Sequence, residues 1–499
     1  MPRLHSLMFA CLLFLSACGS APKGTSGTSS NLCGNGSCES HESANSCPQD
    51  CGGAFPNAKV KTTFINSEGS SGRIAVMVAS PKVKRYPEGA GVVITIPSIF
   101  SDGDGFVRDP DLTSLGLVQV SFLWLGSKDK ASGVESGGDS DHGGPNSIMV
   151  LRDVIRFAGG RLADVNGRYI FGLTTVPPLT DELGVYAFGD AGLAVIKAVS
   201  LYGDQYQGLQ YFVGREVPTI DILAAEEAGY YDAAGKAVYN PFYAYPTGYD
   251  FQSLKLNYTN LRWDPAYFSG GSSLSGRPYL DLDGNGSIST GDYIFNGFTP
   301  VIAGKRYYSR DLTQALEDSG ALSLADWPAD VATPQEAALL WDFLTSPDRF
   351  AVMQDDSIIK NLKVMLVFAQ GDHAQVALDK PHIHQAYQGF RFEARLWVRL
   401  NPDRAYVQEL LQSRGGIGPE APSGTAEPVS ILDFPDNPAN TQPSDWTKIN
   451  DYAYPAIGAA AKVVPLAAVA EMADRAHSGV WDENLGQALY SYTGATPTP

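Results

Sequence analysis

The run Gly184-Val185-Tyr186-Ala187-Phe188-Gly189-Asp190-Ala191-Gly192-Leu193-Ala194-Val195-Ile196-Lys197-Ala198-Val199-Ser200-Leu201 decides the fold. Gly184–Phe188 reads as a short strand and Ala191–Leu201 as a helix, joined by a turn with almost no residues to spare. Working outward, Leu209–Val213 is the next strand. Upstream, Gly91–Pro97 is a continuous apolar run with β-branched residues, as in a strand buried on both faces. Val118–Leu125 is another, and Lys61–Phe64 and Arg73–Ala79 are earlier strands. Ser147–Phe157 places Ile148, Leu151, Val154 and Ile155 at helical spacing. Lys363–Ala369 and Phe392–Leu400 complete the strands, and Ala456–Ala476 is a long helix. Strands alternating with helices predict an α/β fold, with right-handed crossovers and a mostly parallel sheet flanked by helices. Residues 225–360 lack clear sheet strands and read as an insertion over one edge or the mouth of the sheet.

The chain has 499 residues, which suggests two to four domains. Its hydrophobic content of 44% excludes a mostly disordered chain. Lys and Arg number 36 against 54 Asp and Glu, a net charge of −18. That balance argues against nucleic acid, whose phosphates need a basic footprint. It fits solubility outside a cytoplasm, or cation binding. None of the six cysteines lies beyond Cys51, so the large remainder folds without disulfides.

Residues 1–17 carry Arg3, an apolar run from Leu7 to Leu15, and then small residues. The run is too short to span a bilayer and has signal-peptide flanks. It ends Leu15-Ser16-Ala17-Cys18, which resembles the lipobox of bacterial lipoproteins. The resemblance implies cleavage before Cys18, a diacylglycerol on its thiol, and a lipid bilayer as partner. The resulting location is the bacterial cell envelope, at the outer membrane or cell surface. An ordinary cleaved signal with Cys18 left free is the rival reading. Residues 18–32 form a flexible tether.

Residues 33–53 contain Cys33, Cys38, Cys47 and Cys51. An even count in an exported chain implies two disulfides, and the three possible pairings stay open. The pattern Cys-Gly-Asn-Gly-Ser-Cys … Cys-Pro-Gln-Asp-Cys looks like a short cysteine module on surface proteins of myxobacteria and their relatives. A zinc site is the rival reading.

From residue 56 to 499 the order of elements resembles the α/β-hydrolase fold, with 225–360 as a lid-like insertion. Strand 91–97 leads into Ser101-Asp102-Gly103-Asp104-Gly105, where the family forms part of its oxyanion hole. Ala187–Gly192 has the shape of a nucleophile elbow. Strand 363–369 ends in Gln370-Gly371-Asp372-His373, where the family carries its acid. The elbow pattern is small-x-nucleophile-x-small, with a left-handed backbone at the nucleophile. With Ala187 and Ala191 as the small pair, the tip is Gly189, which has no side chain to attack a substrate. One residue later the tip is Asp190, as in members whose carboxylate is the nucleophile, but Phe188 then takes a position that needs a small residue.

The family's general base follows the last strand, and no histidine follows Leu400 before His477. His142, in the loop Ser136–Gly144, is the best spare base, and His373 adjoins the acid position. His382-x-His384 is weak as a metal pair, and two exposed histidines are the plainer reading. If chemistry occurs, the resemblance implies hydrolysis of an ester or a peptide-like substrate, with Asp190 as nucleophile, Asp372 as charge partner and His142 or His373 as base. The alternative is a catalytically inactive surface protein that keeps the fold for binding or display. Neither an oligomeric state nor a substrate follows from the sequence.

Asp281-Leu282-Asp283-Gly284-Asn285-Gly286-Ser287-Ile288-Ser289-Thr290-Gly291-Asp292 matches an EF-hand loop position by position. Asp281, Asp283 and Asn285 offer oxygens at positions 1, 3 and 5. Ser287 supplies a backbone carbonyl at 7, Ser289 holds a water at 9, and Asp292 closes at 12. Aspartate at 12 resembles dockerin-type loops. Calcium is the expected cofactor, pinning the insertion, with a solvated turn as the plain alternative. Asp102, Asp104, Asp139 and Asp141 read as solvated loop carboxylates. The aromatics between Tyr230 and Tyr249 line a pocket or pack the insertion.

Overall fold

The structure, a computed structural model, describes residues 58–100, 105–232, 236–243, 256–267, 276–346, 349, 362–368, 375–376, 381–390, 396–402, 406, 410 and 459–481. The leader, Cys18, the tether, the cysteine module, Asp102, Asp104, Tyr245, Tyr249, Asp372 and His373 lie outside these residues. No helix among the described residues is long and apolar enough to cross a membrane.

The first six strands are β1 Lys59–Asn66, β2 Arg73–Ser80, β3 Ala90–Ile96, β4 Val118–Phe122, β5 Pro178–Phe188 and β6 Leu209–Arg215. With β14 Lys363–Val367 and β15 Trp397–Leu400 they form one eight-stranded sheet in the order β1-β2-β4-β3-β5-β6-β14-β15. β2 runs antiparallel to both its neighbours, and every pairing from β4 to β15 is parallel. β5 extends upstream of the expected Gly184, because Pro178–Glu182 continues the strand in residues too polar to read as core.

Helices cover both faces. On one lie α1 Pro145–Ala158 and α2 Ala191–Tyr202, packed against Val92, Ile94, Val185, Val364 and Leu366. The alternate residues Val93, Tyr186, Val213, Met365 and Val367 face the other way, against the carboxy-terminal helix Ala459–Ser478. Period-two alternation thus serves two cores, which is why these strands read as uninterrupted apolar runs. Each fully buried Val, Leu or Met contributes about 1.5–3 kcal/mol.

Between β6 and β14 no described strand joins the main sheet. This stretch begins with α3 Ile222–Glu227 and carries three small antiparallel sheets. These are β7 Gly229–Tyr231 with β8 Ala237–Tyr239, then β9 Leu261–Asp264, β10 Arg277–Leu280 and β11 Tyr293–Ile294, then β12 Val301–Ile302 with β13 Lys305–Arg306. Helices α4 Arg310–Asp318 and α5 Pro334–Leu344 follow, α5 opened by a Thr333–Glu336 capping box. Tyr230, Leu261, Leu280, Tyr293, Phe295, Tyr308, Leu312 and Leu316 give the insertion its own core, while Tyr231 and Tyr239 stay exposed. Trp341 and Leu344 of α5 belong instead to the core of the main sheet.

Candidate functional site

The site is built where β3 and β5, adjacent and parallel, end on the same edge of the sheet. β14 ends on that edge as well, two strands from β5. At the end of β5 the backbone turns left-handed at Gly189, with φ of 56°, and is already helical at Asp190, with φ of −58°. The left-handed position thus carries glycine, the residue with least steric cost there. The Gly189 N–H donates to the Arg215 carbonyl at 3.0 Å, fastening the turn to the end of β6. Helix α2 starts close to the loop after β6, because Gly192 has no Cβ. A methyl there would lie 2.0 Å from Val217 Cγ1.

Asp190 stands at the N-cap of α2, where a carboxylate ordinarily accepts an N–H of the first turn. Its side chain makes no such bond. It turns to the loop after β3, where Oδ2 accepts the Ile99 N–H at 2.7 Å and the Ser98 hydroxyl at 2.8 Å. In the α/β-hydrolase fold an N–H from this loop and the N–H of the residue after the nucleophile form the oxyanion hole. Ser101–Asp104, where the resemblance put the oxyanion loop, lie outside the described residues; in the described part of the loop after β3, the Ile99 N–H is held by a carboxylate.

His142 holds the same residue at its other end, Nδ1 lying 3.2 Å from the Ile99 carbonyl. A carbonyl only accepts, so Nδ1 carries the proton in this contact. His142 is buried, with φ of 48°. Asp190 and His142 therefore meet through Ile99, one on its N–H and one on its C=O. Asp141 accepts the N–H groups of Asn146 and Ser147 and the Ser147 hydroxyl, so it caps the start of α1. Its expected role as a solvated loop carboxylate is corrected by those bonds. His382 lies on the helix Pro381–Phe390 and is fully buried, which corrects the reading of an exposed histidine. The side chain of His384 lies outside the described residues. His477, in the last turn of the carboxy-terminal helix, stacks on Tyr86 and meets Glu182 at 2.9 Å.

The insertion reaches this edge through aromatic side chains. Phe100 packs edge-on against Trp341 of α5, ring centroids 5.8 Å apart, and touches Phe298 at 6.3 Å. Lys197 of α2 donates to Ser346, just beyond α5, at 2.7 Å.

A cluster that sequence reading missed joins the insertion to α3. Glu227, 5% exposed, accepts the Ser309 N–H at 3.0 Å, the Ser309 hydroxyl at 2.7 Å and the Tyr258 hydroxyl at 2.7 Å. Burial pushes its carboxyl up to about 7 against the opposing pull of the Ser309 and Tyr258 donors. Asp221 caps α3 and accepts the Arg310 N–H at 2.8 Å. Two carboxylates from one segment thus receive the first N–H groups of α4.

The 281–292 loop joins β10 to β11. One carboxylate oxygen each from Asp281, Asp283 and Asp292 lie within 4.8 Å of one another. Gly284 and Gly286 take φ of 73° and 77°, and the Gly286 N–H donates to Asp281 at 3.0 Å. Asn285 accepts the Ser287 N–H, and Ser289 Oγ lies 3.1 Å from Asp283 Oδ2. Burial acts to raise Asp292, but the N–H groups of Leu282 and Ser289 outweigh it and hold the carboxyl below its usual range. Asp281 is 1% exposed, and its Oδ1 is buried with no hydrogen-bond partner. Arg262 Nε lies 3.6 Å from Asp281 Oδ2; the unmatched Oδ1 and the two neighbouring carboxylates are oxygen donors of the kind a hard cation takes.

No protein-family model matches the chain, and neither does any curated protein. Among solved structures, vibralactone cyclase aligns at 10% identity and a TM-score of 0.31, over 70% of this chain and 71% of that one. The hyperthermophilic esterase of the archaeon Pyrobaculum calidifontis aligns at 16% identity and 0.23, over 33% and 45% of the two chains. The proline iminopeptidase of Mycobacterium smegmatis aligns at 13% and 0.24, over 34% and 48%. The alignment thus spans less than half the length of the esterase and the iminopeptidase. The architecture rests on strand order and parallel pairing, a large mixed sheet flanked by helices, consistent with the α/β-hydrolase fold.

Proposed function

We propose that this chain is a lipid-anchored bacterial envelope protein that keeps a hydrolase-like sheet as a binding scaffold and performs no serine-type acyl transfer. The observation that carries this reading is the turn at the end of β5. Its left-handed residue is Gly189, and the Asp190 carboxylate beside it takes up the Ile99 N–H. A nucleophile is absent from the elbow tip, and an N–H of the loop after β3 is already engaged.

Hydrolysis of esters or peptide-like substrates with Asp190 as nucleophile is the competing reading. Against it stand the two donors on Asp190 Oδ2, which lower its nucleophilicity and aim it at the β3 loop rather than outward. Turnover of chromogenic ester and aminoacyl substrates, with Asp190→Ala as control, separates the two. The place for a small-molecule or peptide ligand is the edge where the elbow, Ser98–Phe100 and α5 meet.

Attachment to the bilayer through an acylated Cys18 is supported by the run Leu15-Ser16-Ala17-Cys18 behind the apolar segment. Calcium in the 281–292 loop is supported by the three converging carboxylates and the unmatched Asp281 oxygen. When bound, the ion supplies positive charge that offsets their mutual repulsion. Asp281, Asp283, Asn285, Ser287, Ser289 and Asp292 would hold it, and its part is structural.

A further inference from the structure

The 281–292 loop and α5, whose Trp341 packs on Phe100 beside the elbow, are joined by a continuous set of contacts. The loop closes at Asp292, and the next residue, Tyr293, opens β11. β11 has only two residues, so its pairing with Leu280 and Tyr279 depends on the turn that precedes it. The Tyr293 hydroxyl donates to the Glu227 carbonyl at 3.2 Å, and its ring packs on Phe295 and Tyr230. Tyr258, just ahead of β9 in the same small sheet, donates to the Glu227 carboxylate. Ser309 donates to that carboxylate and caps α4. The preceding residue, Tyr308, accepts the Trp341 indole N–H at 3.3 Å, and Trp341 packs on Phe100, two residues past Ser98.

A cation taken up by Asp281, Asp283 and Asp292 would tie the two ends of the β10–β11 turn together, adding to the hydrogen bonds and the Arg262 contact that hold the turn without one. Opening the turn frees β11, and Tyr293 leaves the end of α3. Glu227 is held from three sides by residues of the insertion, so loosening that contact wets a carboxylate the closed form keeps dry. A cation therefore favours the arrangement in which Glu227 is covered and α4 and α5 are seated.

We propose that divalent cation binding at the 281–292 loop and the seating of α4, and of α5 against Phe100 beside the elbow, are one coupled equilibrium, with Tyr293 and Glu227 as the joint. The cation acts as a regulator of access to the edge occupied by Gly189. This rests on the calcium reading above and adds to it a second, distant consequence of binding.

Hydrogen exchange on the full chain, in calcium and in excess chelator, tests it. Calcium is expected to slow exchange by about tenfold or more in 281–294 and also in 309–318 and 334–344, with α1 unchanged as the internal reference. Slowing confined to 281–294 overturns the coupling and leaves the metal site standing. No slowing anywhere removes the metal reading and the proposal with it. Uniform slowing that includes α1 means general stabilisation and overturns the coupling. Because coupling is reciprocal, Glu227→Ala is expected to weaken calcium affinity about fivefold or more, and an unchanged affinity overturns the proposal. Should that variant fail to fold, the exchange pattern of the unaltered chain decides.

Discussion

Asp190 Oδ2 lies 2.7 Å from the backbone nitrogen of Ile99, and the two residues are 91 positions apart in the chain. The contact ties the end of β3 to the end of β5 across the edge where a hydrolase would carry its reaction. A group that could have been a nucleophile or a helix cap is instead a tie between two loops. Replacing Asp190 with Ala is expected to cost about 1–2 kcal/mol, the loss of two hydrogen bonds to a partly exposed carboxylate. Asp190→Asn retains an acceptor and should cost less. Urea denaturation measures both, and an unchanged midpoint for Asp190→Ala would show that the contact does not hold the loop.

Gly192 permits α2 to start against Val217. A Cβ added there would lie 2.0 Å from Val217 Cγ1, so Gly192→Ala is expected to destabilise by about 1–3 kcal/mol despite alanine's better helix propensity. Val217→Ala should recover part of that loss in the double variant. A double-mutant cycle reads the coupling, and strict additivity would place the constraint elsewhere.

Glu227 predicts a pH dependence with a definite sign. Its folded-state value is about 7 against an ordinary 4.5, so the folded protein keeps a proton that the unfolded chain releases. That contribution is fully present below about 4.5 and is lost as pH climbs through about 7, up to about 3 kcal/mol in all. Burial raises Asp221 as well, which adds to the same slope. Glu227→Gln removes the Glu227 part. Its melting temperature should vary less between pH 4.5 and 7 than that of the parent, and equal slopes would sink the assignment.

Calcium is expected to raise the melting temperature and excess chelator to reverse the rise. At a hundredfold excess over its dissociation constant, a ligand specific to the folded state adds about 2.7 kcal/mol. Asp283→Asn, at an exposed position, should remove most of the increase while leaving the chelated protein's midpoint near the parent's. Identical midpoints with and without the ion would count against the loop as a site.

Legibility in the sequence followed the range of the forces involved. Strand 91–96 and helix 191–201 could be read because burial on two faces and helical spacing are local patterns. The convergence of Asp281, Asp283 and Asp292 could be read because all three fall within twelve residues. The candidate site was harder. Two elbow registers were open, Gly189 or Asp190, until backbone geometry put φ of 56° at Gly189. That Asp190 reaches Ile99 and that His382 is buried depend on neighbours far away or on tertiary packing. Glu227 carried no motif at all. Its significance comes from Tyr258 and Ser309, 31 and 82 positions away, meeting on one carboxylate. The only hint was a pair of acidic residues, Glu226 and Glu227, closing a short apolar helix.

On the proposed reading, the elbow edge binds a ligand and carries no acyl-transfer chemistry. Steady-state turnover of a panel of chromogenic esters and aminoacyl substrates tests it most directly, with protein lacking residues 1–18 and with Asp190→Ala and Asp372→Ala as controls. The account predicts rates for the unaltered protein no higher than those of either control. Turnover by the unaltered protein that disappears in Asp190→Ala would contradict it and make Asp190 a catalytic group.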